Sequence, residues 1–173
     1  MIIKKAFIFI CFIAYGSVKV YGQDDEFCNA LTTIMHDAPN KFRNIRGNVT
    51  DDNANATMWA CGIKVPGTIN SRFVASMGLF YEGAVFQSKN KGELGAVYEK
   101  YKGLLNSCLL PDGYNMSLAP NFTPGLDDYK KIVFMQEPKE DIKPENAPAH
   151  ITMEALYSKE TGYYTVVFFI FEH

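Results

Sequence analysis

The sequence predicts an α+β fold: a mostly antiparallel sheet of about six strands with two helices packed on one face, in the order α-βββ-α-βββ. Two stretches, 25–38 and 91–109, carry apolar residues every three or four positions, which is the spacing of an amphipathic helix. Short alternating or continuous apolar runs follow each of them, as expected of strands. Apolar residues make up 47% of the chain and aromatic residues 14%, enough to build a core.

The first 22 residues have the three parts of a secretory signal peptide. Two lysines supply the positive start, residues 6–15 form an uncharged and mostly apolar run, and small residues follow at a cleavage site. A run of that length rises only about 15 Å as a helix, against roughly 30 Å of membrane hydrocarbon. We therefore expect cleavage after Gly22, and a single secreted or periplasmic α+β domain at 23–173 with no membrane anchor.

The first half of the mature chain is predicted to contain one helix and three meandering strands. The elements are the helix 25–38, a polar loop at 49–57, and strands at 57–65, 68–74 and 77–87. Pro39 ends the helix because proline cannot continue one. The first strand alternates, so Trp59 and Cys61 share a face. Pro66 and Gly67 suit the two corners of a tight turn into the second strand.

The second half repeats this pattern of a helix followed by strands. The elements are the helix 91–109, a long loop at 110–128, strands at 129–136, 151–157 and 163–171, and a polar connector at 137–149. Asn90 is placed to cap the helix, with Glu93 three residues later. The last strand (YYTVVFFIF) is apolar on both faces, so it belongs in the middle of the sheet or under a partner.

Three cysteines remain after cleavage, which suggests one disulfide and one spare thiol in an oxidising compartment. Cys61 lies on the strand face shared with Trp59, and Cys108 ends the apolar stripe of the second helix. We predict a Cys61–Cys108 disulfide, with Cys28–Cys108 as the main alternative because spacing does not fix connectivity.

The sequence does not fit known catalytic or metal-binding motifs, because each motif lacks a residue that it requires. A nucleophilic Cys28 would have His36 two helical turns away, so Cys28 is interpreted as a buried inert thiol. Ser76 lacks the first glycine of a nucleophile elbow and is interpreted as a turn residue. The calcium-loop pattern that begins at Asp51 has Ala56 where a glycine is needed. The sequence predicts no catalytic, cofactor-binding or metal-binding residue.

Charge and surface residues favour a binding function. Removal of residues 1–22 leaves 14 basic and 19 acidic residues, a net charge of −5, which argues against nucleic acid and anionic membranes as partners. We predict a non-catalytic binding or interaction protein, monomeric or homodimeric, whose partner is a protein or a small ligand. The alternative is a small secreted hydrolase with an unrecognised site.

The residues proposed for the interaction surface lie in the long loop and at the start of the last strand. They are Tyr114, Met116, Phe122, Tyr163 and Tyr164. The alternative for the loop residues is that they only cover one end of the core. Four glycosylation sequons also occur, and they would carry glycans on surface loops in a eukaryotic secreted protein. Their asparagines are Asn48, Asn55, Asn115 and Asn121.

Overall fold

The computed structural model describes residues 21–119, 130–137 and 148–172 as two helices and one antiparallel sheet. The helices are α1 (Tyr21–Asp37) and α2 (Leu94–Leu109), each adjoining a 3₁₀ turn, Ala38–Asn40 after α1 and Lys91–Glu93 before α2. The strands are β1 (Arg46–Asp52), β2 (Thr57–Cys61), β3 (Asn70–Ala75), β4 (Leu79–Ser88), β5 (Tyr114–Ala119), β6 (Lys130–Gln136), β7 (His150–Ser158) and β8 (Tyr163–Phe171). The predicted α+β class is confirmed, but the count of about six strands is wrong.

The start of α1 bears on the predicted signal peptide. Residues 1–20 lie outside the described residues, so the signal peptide and the domain boundary stay predictions. The helix begins at Tyr21, earlier than the predicted 25, and the expected cleavage site after Gly22 therefore falls in its first turn. It ends at Asp37, two residues before Pro39, as proline requires.

The sheet consists of two four-stranded meanders that meet in the middle. The strand order is β1-β2-β3-β4-β8-β7-β6-β5, and every neighbouring pair is antiparallel. Each helix precedes one meander, and the meanders join through their last strands, β4 and β8. The central position of β8 confirms the prediction made from its apolar composition on both faces.

The two additional strands form the two edges of the sheet. Six of the seven residues of β1 are exposed, so backbone pairing with β2 holds the strand in place. The Arg46 guanidinium carbon also lies 4.3 Å from the centroid of the Trp59 ring. At the other edge, β5 pairs with β6 from Tyr114 to Ala119 in continuous register. Backbone hydrogen bonds therefore form strands where we predicted none: β1 overlaps the polar loop predicted at 49–57, and β5 lies in the long loop predicted at 110–128.

Both helices pack on one face of the sheet, which we call the helix side. One row across its central strands is fully buried: Phe73, Tyr81, Ile170 and Ile151. The Phe27 ring of α1 lies 6.2 Å from the ring of Phe168 in β8 and 5.9 Å from that of Tyr101 in α2. These aromatic contacts join both helices and the centre of the sheet into one core.

The predicted Cys61–Cys108 disulfide is wrong, because Cys28 bonds to Cys108 and Cys61 is a free thiol. The main contacts of helix α2 with the sheet are to β8 and β7. Cys61 on β2 is three strand spacings from β8, about 14 Å. By contrast, α1 lies against α2, and the Cα atoms of the bonded cysteines are 5.2 Å apart. Cys28 is therefore not the free buried thiol that the sequence suggested.

A buried carboxylate fixes the turn that follows α1. Asp37 accepts hydrogen bonds from the backbone N–H of Asn44 at 3.0 Å and from its side-chain amide at 2.6 Å. The Asn40 amide donates a third at 3.3 Å. Lys41 and Phe42 adopt left-handed φ angles of 57° and 54° within this turn. The turn places the fully buried Phe42 ring against the sheet. The same turn forms one wall of a cleft described below.

Candidate functional site

The face of the sheet opposite the helices, which we call the far face, also carries apolar residues on its central strands. Cross-strand register places Phe80 beside Phe171 and Ala84 beside Val167 on this face. Val74, paired with Phe80, and Val167 are buried, yet neither belongs to the core cluster under the helices. Both described helices lie on the other face, so none of the described helices crosses the far face.

An aromatic cluster lies on the far face of β4, β8 and β7, at the end of the sheet where β8 ends. It consists of Phe80, Phe169, Phe171 and His150. The Phe80 ring lies 5.7 Å from Phe169 and 5.4 Å from Phe171, between ring centroids. The His150 ring stacks on Phe171 at 4.7 Å with an interplanar angle of 8°. All four side chains are half-buried, so each keeps an accessible surface that a partner can cover.

Two ion pairs flank the aromatic cluster, one in each meander. The Arg72 guanidinium meets both carboxylate oxygens of Glu82, at 3.0 and 3.2 Å. The Lys131 ammonium lies 2.9 Å from the carboxylate of Glu154. These charges are paired within the chain, and pairs this accessible contribute little to stability. The cluster therefore lies between two regions that are charged but locally neutral.

Two polar atoms on the far face are buried without a hydrogen-bond partner: Thr152 Oγ1 and Arg72 Nε. Thr152 is 4% exposed and pairs across strands with Phe169. Phe169 pairs with Glu82 on β4, and Glu82 pairs with Arg72 on β3. Both unsatisfied atoms therefore lie on one row that crosses the aromatic cluster. Buried polar groups without a partner are rare in native structures.

The five residues proposed from the sequence do not form one surface. Tyr114 is buried at the start of β5, whereas Met116, two residues on, is 37% exposed. Tyr163 and Tyr164 begin β8, which is three strands away from β5. Phe122 and Asn121 lie outside the described residues. The other three sequon asparagines, at positions 48, 55 and 115, are exposed.

Sequence reasoning found one part of the far face and missed the rest. It recognised that β8 is apolar on both faces, and Phe169 and Phe171 belong to that strand. It did not find Phe80 or His150, because their place beside β8 depends on the register of β4 and β7. The signal available in the sequence was that β4 also contains apolar residues on both faces, Phe80 next to Leu79 and Tyr81.

A cleft of about 780 Å³ opens on the helix side, between the end of α1 and the β5–β6 edge. Its lining residues are Thr32, Met35, His36, Pro39, Asp112, Tyr114, Gln136, Pro148 and Ala149. The Gln136 amide donates to the Asp112 carbonyl oxygen at 2.7 Å, so it serves the backbone. Burial, and secondarily the charge of Asp112, raises the pKa of Tyr114 to about 12, so its phenol stays protonated at neutral pH.

The residues tested as catalytic or metal ligands take structural roles. The Cys61 thiol donates to the Ile63 carbonyl at 2.7 Å, and burial raises its pKa, which disfavours the nucleophilic thiolate. The Ser76 backbone N–H donates to the Gly78 carbonyl in the β3–β4 turn, as predicted for a turn residue. No group of three or more His, Cys, Asp or Glu side chains gathers to hold a metal within the described ranges.

Comparisons with protein-family models, curated proteins and solved structures find no match for this chain. The far face is therefore identified by its own geometry: an aromatic cluster at one end of the central strands, one ion pair beside it in each meander, and two unsatisfied polar atoms on one row with Phe169. Neither helix in the described part of the chain is both long and apolar enough to span a membrane.

Proposed function

We propose that the chain is an exported, non-catalytic binding protein and that the far face of its sheet is the binding surface. The observation that carries this proposal is the half-buried aromatic cluster at one end of the central strands, on the side that no described helix covers. Its four rings keep partly accessible apolar surface next to one another, and contiguous accessible apolar surface is typical of interaction sites.

Export is supported by two features at different places in the chain. The first is the basic and then apolar pattern of residues 1–22, which resembles a signal peptide. The second is the Cys28–Cys108 bond, because disulfides form and persist in oxidising compartments such as the periplasm and the extracellular space. Together these features favour a secreted or periplasmic location.

A binding function is favoured over hydrolysis by the state of the nucleophiles. The Cys61 thiol and the Tyr114 phenol both have raised pKa values, whereas a nucleophile works through a lowered pKa or an adjacent base. Binding at the far face, in contrast, requires only that a partner buries this surface. Its aromatic side chains present a large apolar area, and its charges are already paired.

The test uses anilinonaphthalenesulfonate, a dye that fluoresces on accessible apolar surface. We expect the dye to bind the folded protein at high dilution and its affinity to fall at least about tenfold in Phe169→Glu, because a charge at the centre of the cluster repels the anionic dye and disrupts the apolar surface. The matched control is Leu118→Glu, which adds the same charge at a 77% exposed position on the helix side of β5.

The control variant should bind the dye as the wild type does. Circular dichroism melting of all three proteins confirms that each is folded. The proposal is wrong if the dilute, folded wild type does not bind the dye, or if Leu118→Glu weakens binding as much as Phe169→Glu does.

A further inference from the structure

The cleft on the helix side, whose volume is about 780 Å³, has the size of a small-molecule site. Four parts of the chain form its walls: the end of α1 with the turn after it, the turn before β5 with the start of that strand, the end of β6, and residues 148 and 149. Pockets that bind small molecules commonly measure about 300 to 1,000 Å³. The cleft can therefore enclose most of a small organic ligand.

The walls of the cleft are held in place by the fold itself. Thr32, Met35 and His36 are three and four residues apart, so they share one face of α1. The disulfide ties this helix to α2. On the opposite wall, cross-strand pairing sets Tyr114 of β5 directly beside Gln136 of β6. The cleft is therefore formed in the absence of a ligand, as is usual for small-molecule sites.

The interior of the cleft is largely apolar. Met35 and Ala149 are 7% and 3% exposed and belong to the core cluster, so core side chains form the floor. Pro39 and Pro148 add apolar surface to the walls. A ligand with an apolar body can bury it against these side chains, and such burial is the main driving force of association.

The phenol of Tyr114 is a polar group that has no partner within the chain. The residue is only 7% exposed. Burial and the charge of Asp112 raise its pKa to about 12, and no hydrogen bond contributes to that rise. The phenol can therefore donate a hydrogen bond to a ligand in the cleft or accept one from it. The effect of Asp112 on this phenol also means that the carboxylate lies near it.

The charge of the cleft is complementary to a cation. Among the described residues that line it, Asp112 carries the only carboxylate, and none is lysine or arginine. None of the ion pairs in the described part of the chain involves Asp112. An ammonium group brought beside this carboxylate is attracted to it, whereas an anion is repelled.

We infer that the cleft binds a small organic amine. The ammonium group pairs with the carboxylate of Asp112 and donates to the phenol oxygen of Tyr114, while the apolar body of the ligand lies against Met35 and Ala149. This site is on the opposite side of the sheet from the far face. It therefore adds a second binding site to the proposed function and does not depend on the first.

The inference is tested by NMR titration of the ¹⁵N-labelled protein with three probes that share a phenyl group: 2-phenylethylamine, 2-phenylethanol and phenylacetate. We expect the amine to bind at least about tenfold more tightly than phenylacetate, with the alcohol between them. The backbone amide signals of Thr32, Tyr114 and Gln136 should shift on binding, whereas that of Phe169 on the far face should not.

The charge is tested by Asp112→Asn, which should weaken binding of the amine by about tenfold and that of the alcohol by less than about twofold. The matched control is Asp25→Asn. It removes an equally exposed carboxylate near the other end of α1, about 16 Å along the helix from His36. This variant should bind the amine as the wild type does.

The position of the site is tested by filling the cleft. Thr32→Trp places a large side chain in it and should abolish binding of all three probes. Thr33→Trp is the matched control, because its neighbouring position on α1 is exposed and does not line the cleft. Circular dichroism melting confirms that each variant is folded.

The inference is wrong if the wild type does not bind the amine, or if phenylacetate binds as tightly as the amine. It is also wrong if Asp25→Asn weakens binding as much as Asp112→Asn does, or if the folded Thr32→Trp variant still binds. Amine binding that shifts the signal of Phe169 instead of those around the cleft would assign the probe to the far face. Such a result overturns this inference and leaves the proposed function standing, whereas loss of dye binding with intact amine binding does the reverse.

Discussion

Phe168 and Phe169 are neighbours on β8 but lie on opposite faces of the sheet. Phe168 is fully buried and contacts Phe27 of α1 and Tyr81 of β4, whereas Phe169 is half-buried and contacts Phe80 and Phe171. Both faces of β8 are therefore apolar, and the described helices cover only one of them. The apolar face under the helices is core, whereas we propose that the other face, which no described helix covers, is used for binding.

The largest loss of folding stability should come from removing the disulfide that joins the two helices on the helix side. The Cys28–Cys108 bond joins α1 to α2 across 80 residues of sequence. Replacing both cysteines by serine should lower the free energy of unfolding by about 4 to 5 kcal/mol, chiefly because the unfolded chain gains freedom. Urea unfolding of wild type and variant measures this difference. Cys61→Ser is the control, and an equal loss in that variant would contradict the pairing.

The next largest loss of folding stability is expected on truncation of Phe168, and it should exceed the loss on truncation of Phe169. Phe168→Ala should cost about 3 to 5 kcal/mol of folding stability, because it leaves a cavity under the helices. Phe169→Ala should cost about 1 kcal/mol in the monomer, the size of its aromatic contacts on the far face. Both are measured by urea unfolding at a concentration where the chain is monomeric. Similar losses in both variants would mean that the two faces are equally covered.

The smallest expected effect is a change of folding stability with pH, caused by buried tyrosine phenols on the helix side. Burial is the main cause that raises the pKa of Tyr98 and of Tyr114 from 10.0 to about 12, with a smaller contribution from Glu99 and Asp112, respectively. Below pH 10 the phenols are protonated in both the folded and the unfolded chain, so they contribute no pH dependence. Between about pH 10 and 12 only the unfolded chain releases the protons, so stability should fall as the pH rises.

Tyrosinate absorbance and urea unfolding at several pH values check this window. Tyr98→Phe removes one of these two phenols and should therefore reduce the slope of the free energy of unfolding against pH. A folded protein in which every tyrosine ionises near the ordinary value would contradict the burial of these two side chains.

The sequence was sufficient for elements that have a strong apolar pattern. Residues 163–171 form β8 as predicted, and Asn90 caps the turn before α2 by accepting from the Gly92 N–H at 2.9 Å. The Pro66–Gly67 turn is confirmed by its hydrogen bond from Thr68 to Val65 and by the positive φ of Gly67. In each case a local pattern or a local steric rule determines the structure.

Strands held by backbone pairing were missed. Residues 46–52 are polar and exposed, so β1 has no side-chain signal that distinguishes it from a loop. In β5 the signal was present, since Tyr114, Met116 and Leu118 alternate with polar residues. The nearby prolines and glycines outweighed that alternation in the interpretation. An edge strand needs only one partner and little burial, so its sequence is weakly constrained.

The disulfide and the far face depended on long-range placement. We expected α2 to cover the strands that precede it, which would bring Cys108 near Cys61. The structure instead places β7 and β8 under α2, and the same arrangement sets Phe80 beside Phe171. Spacing along the chain determines neither of these, because both follow from which strands meet at the centre.

The position of β8 has a consequence for how the chain folds. It is the last of the eight strands to be synthesised, yet it is the one that joins the two meanders. Until residues 163–171 are available, β4 and β7 both lack a neighbour, and neither meander can complete the sheet. Contacts so distant in sequence are slow to form. Under the export that we propose, such an order suits a chain that crosses a membrane unfolded, because the sheet is completed only after β8 has passed through.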